Sequence, residues 1–350
     1  RLTRWPLALA MPGGLAPNVD DSDLARWSGA PFGAVLWDDP ELMWLWRRPA
    51  QGLISSGGST LAPELFALLP SPVPEGTEPG WTDVFLEASG HAVFRDGWGP
   101  DATWMMLLGE HGRARAMGLG HEHPDATQLL LSAFGEILLL DSGYISFPEK
   151  DAVCHARDHS IVLVDGEGPP DNYMFGMVGA DAWLTGWDVR EQWKTVVSST
   201  TYAGVQRARR VVLFPEGWLL VQDRIVAGEE HQWDWLLHGH GGGTSQGVYE
   251  ALTSGGRWTR SGAWVQAEVV TTAGPPLCTH HEDQHSFVHG EMKTHEVLDC
   301  AWTGPGADVL ALVRFGPAGE EPPDDAIGAW SVGQGTLTFD GPDGPVVVAA

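Results

Sequence analysis

The chain has 350 residues, a formal charge of −26, and 43% hydrophobic and 19% charged residues. That composition is globular rather than disordered, and so acidic a chain excludes nucleic acid as its main partner. A polyanionic ligand is compatible with it only where a local basic patch overrides the global field.

The opening RLTRWPLALAMPGG lacks an initiator Met. Its apolar run is too short and too interrupted by Pro for a signal peptide or a membrane span, so we read a cut or processed end and expect no membrane partner. Residues 1–78 read as a short helical segment. DSDLARWSG puts cap-type residues ahead of an apolar repeat, DDPELMWLWRR places Pro in a first turn, and STLAPELFALLP repeats that grammar. PSPVPEGTEPG (Pro70–Gly80) reads as a linker.

From about Trp81 the period shortens. DVFLEASGHAVFRDG reads as a hairpin around Ser89-Gly90, ATWMMLLGE as a strand, and TQLLLSAFGEILLLDSG as two strands turning at Gly135-Glu136. RRVVLFPEGWLLVQDRIV is the clearest hairpin, turning at Pro215-Glu216-Gly217. HSIVLVDG, DAWLTGWDV, WKTVVSSTTYAG, HQWDWLLHG, WVQAEVVTT, DVLALVRFG and GTLTFDG add strands with no helix between them, which argues against parallel βαβ units. The fold class is mainly β: a large antiparallel β-sandwich over residues 79–350 behind the short helical segment. Most of the 18 Trp residues belong in that core, and exposed ones are candidates for stacking on sugar rings. Cys154, Cys278 and Cys300 have no metal-motif spacing and fit free thiols, or one bridge and one thiol.

Chemistry concentrates in GLGHEHPDATQLLLSAFGEILLLDSGY (Gly118–Tyr144). On extended backbone, His121 and His123 share one side, and two imidazoles with Asp141 and a distant His make a plausible zinc set. A solvated loop or a satisfied buried polar cluster fits the same spacing. With the turn at Gly135-Glu136, Asp141 falls opposite Leu130, so a shared site requires the His121–Pro124 loop to fold back. Asp141 closes a buried strand and needs a partner, either a turn N–H or a cation. HGHGGG (His238–Gly243) reads as a flexible loop and CTHHEDQHSFVHGEMKTHE as a surface loop.

These residues resemble the heparinase II/III-like polysaccharide lyases. The likeness is carried by Gly120, His121, His123, Asp125, Phe134-Gly135, Asp141, Gly143 and DHSIVLVDG (Asp158–Gly166). HAVFRDGW, EHGRARAMG and PNVDDSD add to it, so that it covers roughly residues 15–240. The resemblance implies an α/α toroid, of which residues 1–78 are the end, followed by an antiparallel sandwich. It further implies β-elimination of an acidic polysaccharide: a base removes the proton next to the uronate carboxylate, that carboxylate is neutralised, and an acid protonates the leaving oxygen. It assigns His121 as the catalytic histidine, Tyr144 as acid or base, and His123, Asp141 and His159 as ligands of a structural zinc. Arg113, Arg115 and Arg157 are expected to offset the substrate carboxylate; apart from the resemblance, His238 is also taken as a substrate contact. A periplasmic or secreted location is expected from the resemblance.

The sequence departs from the family where the toroid supplies His and Tyr, because its first His is His91 and its first Tyr is Tyr144. DHS also stands where the family has HN. The chain is therefore expected to be the C-terminal part of a longer lyase, or a domain that has lost the reaction. Two rivals remain: a cupin-like oxygenase or isomerase using Gln128 as a metal ligand, and a non-catalytic carbohydrate-binding sandwich.

Overall fold

The computed structural model describes residues 4–25, 30–47, 75–116, 120–170, 179–320, 330–333, 336–341 and 344–349. STLAPELFALLP and the first part of the Pro70–Gly80 linker lie outside them. Near the N-terminus are three short helices: α1 (Trp5–Leu9), α2 (Ala30–Leu36) and α3 (Pro40–Arg47). The start of α3 follows its sequence signals. Pro40 opens the helix, and Asp39 Oδ1 accepts the Glu41 and Leu42 N–H groups at 3.1 and 3.3 Å.

Five strands form the first sheet in sequence order: β1 (Val84–Leu86), β2 (His91–Arg95), β3 (Trp104–Leu108), β4 (Leu129–Ala133) and β5 (Glu136–Leu139). Between β4 and β5 the turn is Phe134-Gly135, one residue earlier than the sequence suggested. Both residues have positive φ (54° and 75°), as a type I′ hairpin requires. The β4–β5 register shifts by one residue between Leu131 and Ser132.

The second sheet has ten strands. β6 (Val162–Val164) pairs with one end of β10. β7 (Ala182–Val189), β8 (Lys194–Tyr202), β9 (Val205–Phe214) and β10 (Trp218–His238) follow as antiparallel neighbours. β11 (Val248–Leu252), β12 (Gly255–Thr259) and β13 (Ala263–Thr271) run into β15 (Glu291–Pro317), which pairs with β10 along most of its length and with β14 (Leu277–Val288) on its other side. The hairpin at Pro215-Glu216-Gly217 is present: Phe214 pairs with Trp218, and their rings stack at 3.6 Å. β16 (Trp330–Gly333), β17 (Thr336–Gly341) and β18 (Gly344–Ala349) form a small third sheet.

The two large sheets pack on one continuous core. It includes Phe94, Met105, Leu107 and Leu131 from the first sheet and Leu219, Trp233, Trp235 and Val309 from the second. The other face of the first sheet is buried as well. Val93, Trp104, Met106 and Leu130 meet Leu9, Met11, Val19 and Leu24 from the N-terminal segment. This explains why β2, β3 and β4 are apolar or buried throughout rather than alternating. The N-terminal segment is thus part of the sandwich's packing and reaches the loops at the end of β5.

Three sequence readings are corrected here. DSDLARWSG is not helical over its described residues 21–25; Asp20 takes a positive φ of 56°, and Ser22 Oγ bonds the Val19 carbonyl, so the cap-type residues shape a loop. The His-rich CTHHEDQHSFVHGEMKTHE is no surface loop but most of the β14–β15 hairpin. A small cupin barrel is excluded by the two-sheet architecture, and Gln128 has no ligand role open to it: its amide donates to Asp141 Oδ2 at 3.2 Å and its oxygen accepts the Ser160 N–H. The cysteines resolve as a Cys278–Cys300 bridge across β14 and β15, with Cys154 buried and outside any disulfide.

Candidate active site and metal centre

His123 lies in the loop before β4, Asp141 follows β5, and His159 precedes β6. The loop folds back through Thr127, whose φ is +77°, with the Gln128 N–H on the Asp125 carbonyl at 2.8 Å. The side chains of His123, Asp141 and His159 converge, all buried, with one ligand-type atom of each within 4.8 Å of the others. His123 and His159 have ring centroids 5.3 Å apart, and His159 Nδ1 stands 3.5 Å from Asp141 Oδ2.

The remaining bonds orient this trio. Asp141 Oδ1 accepts the Gly143 N–H at 2.8 Å, and Asn18 Nδ2 donates to the Asp141 carbonyl at 3.1 Å. His123 Nε2 lies 3.1 Å from Asp21 Oδ1, and the His123 N–H donates to Asp20 Oδ1 at 2.8 Å. Yet His123 Nδ1 and both His159 ring nitrogens are buried without a hydrogen-bond partner. Orphaned buried imidazole nitrogens are costly unless something else satisfies them. Two such imidazoles beside a carboxylate form an N,N,O donor set that suits zinc, with Asp21 and Gln128 as outer partners holding two of the ligands in orientation. Burial pushes the Asp141 carboxyl up, but the two imidazoles and the Gly143 N–H overcome it and leave it below its ordinary value.

His121, one residue before Glu122, is largely exposed, with its side chain 76% accessible. Its Nδ1 lies 2.8 Å from Asp21 Oδ2. The same oxygen accepts the ammonium of buried Lys150 at 2.7 Å, and Lys150 also donates to the Gly120 carbonyl. Asp21 therefore joins His121, His123 and Lys150, which the sequence reading did not connect. An aspartate 100 residues upstream, inside what reads as a helix cap, gave no local signal; its only hint was PNVDDSD, one of the segments in which the sequence resembles the lyases.

A carboxylate cluster adjoins this centre. Asp20, Glu110 and Glu122 bring carboxylate oxygens within 4.8 Å of one another, and His91 Nε2 pairs with Glu110 at 3.0 Å. Burial and the bond to Glu110 raise Glu122 far above the ordinary carboxylate range, while His91 and Glu122 hold Glu110 low against its own burial.

The other expected site residues scatter. Arg113 and Arg115 sit on α4 (Gly112–Ala116). Arg113 is exposed, whereas Arg115 bonds Asp181 at 2.8 Å and lines a small cavity with Glu110, Glu122 and His123. Arg157 is exposed. Tyr144 is half-buried, its ring 5.7 Å from that of His289. His238 is a correction: it is fully buried and cannot contact substrate. It begins a row of imidazoles instead of a flexible loop, with Nε2 at 3.1 Å from the Arg157 carbonyl and Nδ1 at 2.9 Å from His295 Nε2; His295 Nδ1 in turn lies 3.1 Å from His285 Nδ1. Burial drives all three well below the ordinary imidazole value, and His240 nearby to about 3.

The model of the heparinase II/III-like C-terminal family matches residues 78–288. Among solved structures, the chain is similar to heparan sulfate lyase HepC from Pedobacter heparinus, at 15% identity and a TM-score of 0.74, covering 98% of this chain and 51% of that one. A heparinase III structure superposes with a TM-score of 0.75 at 12% identity, covering 99% and 52%. The heparinase III-BT4657 gene product gives 0.73 at 13%, covering 98% and 51%. At these identities the likeness is one of fold, and the chain spans about half the length of each. No curated protein matches it in sequence.

Proposed function

Because the chain belongs to the heparinase II/III-like family, we propose that it is the β-sandwich part of a polysaccharide lyase that cleaves a uronate-containing acidic polysaccharide by β-elimination. The observation that carries this reading is the pairing of an exposed His121 with Asp21, beside a buried His123–Asp141–His159 trio. Asp21 on Nδ1 fixes the ring and leaves Nε2 to act on the proton next to the uronate carboxylate. Tyr144 protonates the leaving oxygen, and the exposed cations Arg113 and Arg157 face the anionic chain electrostatically.

His123, Asp141 and His159 would hold zinc, which when bound supplies a cross-link between the β4 entry loop, the end of β5 and the β6 entry loop, and thereby fixes the backbone that carries His121. Lys150 keeps Asp21 charged and tethers the Gly120 carbonyl, so the residue before His121 is held too. Residues from the toroid complete the machinery in the whole protein.

The test is incubation of the protein that includes the toroid with a panel of uronate polymers, following ultraviolet absorbance of the unsaturated product. Absorbance growth that disappears in His121→Ala supports the reading. No product from any polymer, or full activity in His121→Ala, contradicts it.

A further inference from the structure

The largest groove described lies away from the histidine site, on the outer face of β7–β10. It encloses about 580 Å³ and is lined by Asp181, Trp183, Ser199, Thr201, Gln206, Ala208, Arg224 and Val226, among others. That volume is in the range of ligand sites.

The sheet register explains its shape. Trp183 pairs with Ser199, Ser199 with Ala208, and Ala208 with Arg224. Directly paired residues in an antiparallel sheet project on one face. The four therefore form a straight row across four strands, with Trp183 and Arg224 at its ends, roughly 14 Å apart at the usual strand spacing. Ser199 and Ala208 are small and keep the floor between them low. The next row, Thr201–Gln206–Val226, adds a hydroxyl and an amide along the same floor.

The two end residues are unusual for a solvated sheet face. Trp183 is 51% exposed, although burying an indole is strongly favourable. It is held in place by stacking on His111, with centroids 3.8 Å apart. Arg224 is exposed and has no carboxylate partner among the described residues of this very acidic chain. An indole wall suits the C–H face of a sugar ring, and a free guanidinium suits a carboxylate or sulfate. One ion pair links the groove to the candidate active site. Asp181 on its rim holds Arg115, and Arg115 lines the small cavity beside Glu122 and His123.

We propose that the Trp183–Arg224 groove is a second, non-catalytic binding site for an acidic oligosaccharide, stacking one ring on Trp183 and pairing an anionic group with Arg224. The choice of an acidic glycan rests in part on the lyase reading, whereas the groove itself does not. Its role is to hold the polymer beside the site where His121 acts.

The test is affinity electrophoresis of the His121→Ala protein, a background without turnover, through gels containing heparan sulfate or neutral dextran. Because binding alone is read, a failure of the elimination chemistry leaves this measurement intact. Heparan sulfate is expected to retard the protein and dextran is not. Adding Trp183→Ala or Arg224→Ala should weaken retardation about tenfold with an unchanged melting temperature. Both side chains are exposed, and if Trp183→Ala folds poorly, Arg224→Ala carries the test. The proposal is overturned if heparan sulfate does not retard the protein, if dextran retards it equally, or if correctly folded variants bind as the parent does.

Discussion

Asp21 Oδ2 lies 2.8 Å from His121 Nδ1, while its other carboxylate oxygen lies 3.1 Å from His123 Nε2. One side chain thus orients both the exposed histidine assigned to the chemistry and a buried histidine assigned to the metal. Asp21→Asn keeps the volume but loses the charge and one acceptor. In the toroid-containing protein its elimination rate is expected to fall at least a hundredfold, the lower range for a disabled general acid–base group. Zinc affinity should fall roughly tenfold or more, as for loss of an outer-sphere partner. A variant with parental rate and affinity contradicts the coupling.

His121→Ala separates the two roles. It is expected to retain the metal and the parental melting temperature, because His121 is exposed and contributes no buried donor to the trio. Metal loss in this variant, read by elemental analysis, would mean that the roles of His121 and His123 are exchanged.

Acid sensitivity follows from the buried imidazoles. The His240 imidazole is pushed down to about 3, chiefly by burial. In the unfolded chain it takes up a proton near pH 6.5. Between those values the unfolded state binds the extra proton, so stability is present above about pH 6.5 and lost as the pH falls. His240→Gln retains a donor for the Ile137 carbonyl, which His240 Nδ1 approaches at 3.1 Å. Going from pH 7.5 to 5.5, the parent should lose about 1.4 kcal/mol more than this variant in denaturant unfolding. Equal losses would contradict a neutral buried His240.

The Cys278–Cys300 bridge joins β14 to β15 over a separation of 22 residues. A loop of that length corresponds to roughly 3 kcal/mol of stabilisation in the chain-entropy treatment. Unfolding with and without a reductant is expected to differ by about that amount, and no difference would show that the paired strands hold without it.

The sequence disclosed what is local and repetitive. The hairpin at Pro215-Glu216-Gly217 and, to within one residue, the β4–β5 hairpin carry turn residues between apolar runs, and His123 and Asp141 lie in one family-like stretch with His159 in the next. What it concealed depends on distance or on competing uses of one residue type. Asp21 looks like a helix cap until its carboxylate is found on His121 and His123. His285 and His295 sit in a polar tract that resembles a loop, and only strand pairing shows that alternate residues point inward. Gln128 looks like a ligand, but both ends of its amide are taken by Asp141 and Ser160. The groove between Trp183 and Arg224 needs the register of four strands and has no signature in any one of them.

The most direct measurement is zinc per chain by elemental analysis, made on the parent and on His123→Ala, Asp141→Ala and His159→Ala with His121→Ala as control. One zinc is expected in the parent and the control, with little left in the three variants and a lower melting temperature in each, since metal binding is coupled to folding. A parent without zinc, or the same stoichiometry in all three variants, contradicts the metal centre on which the placement of His121 depends.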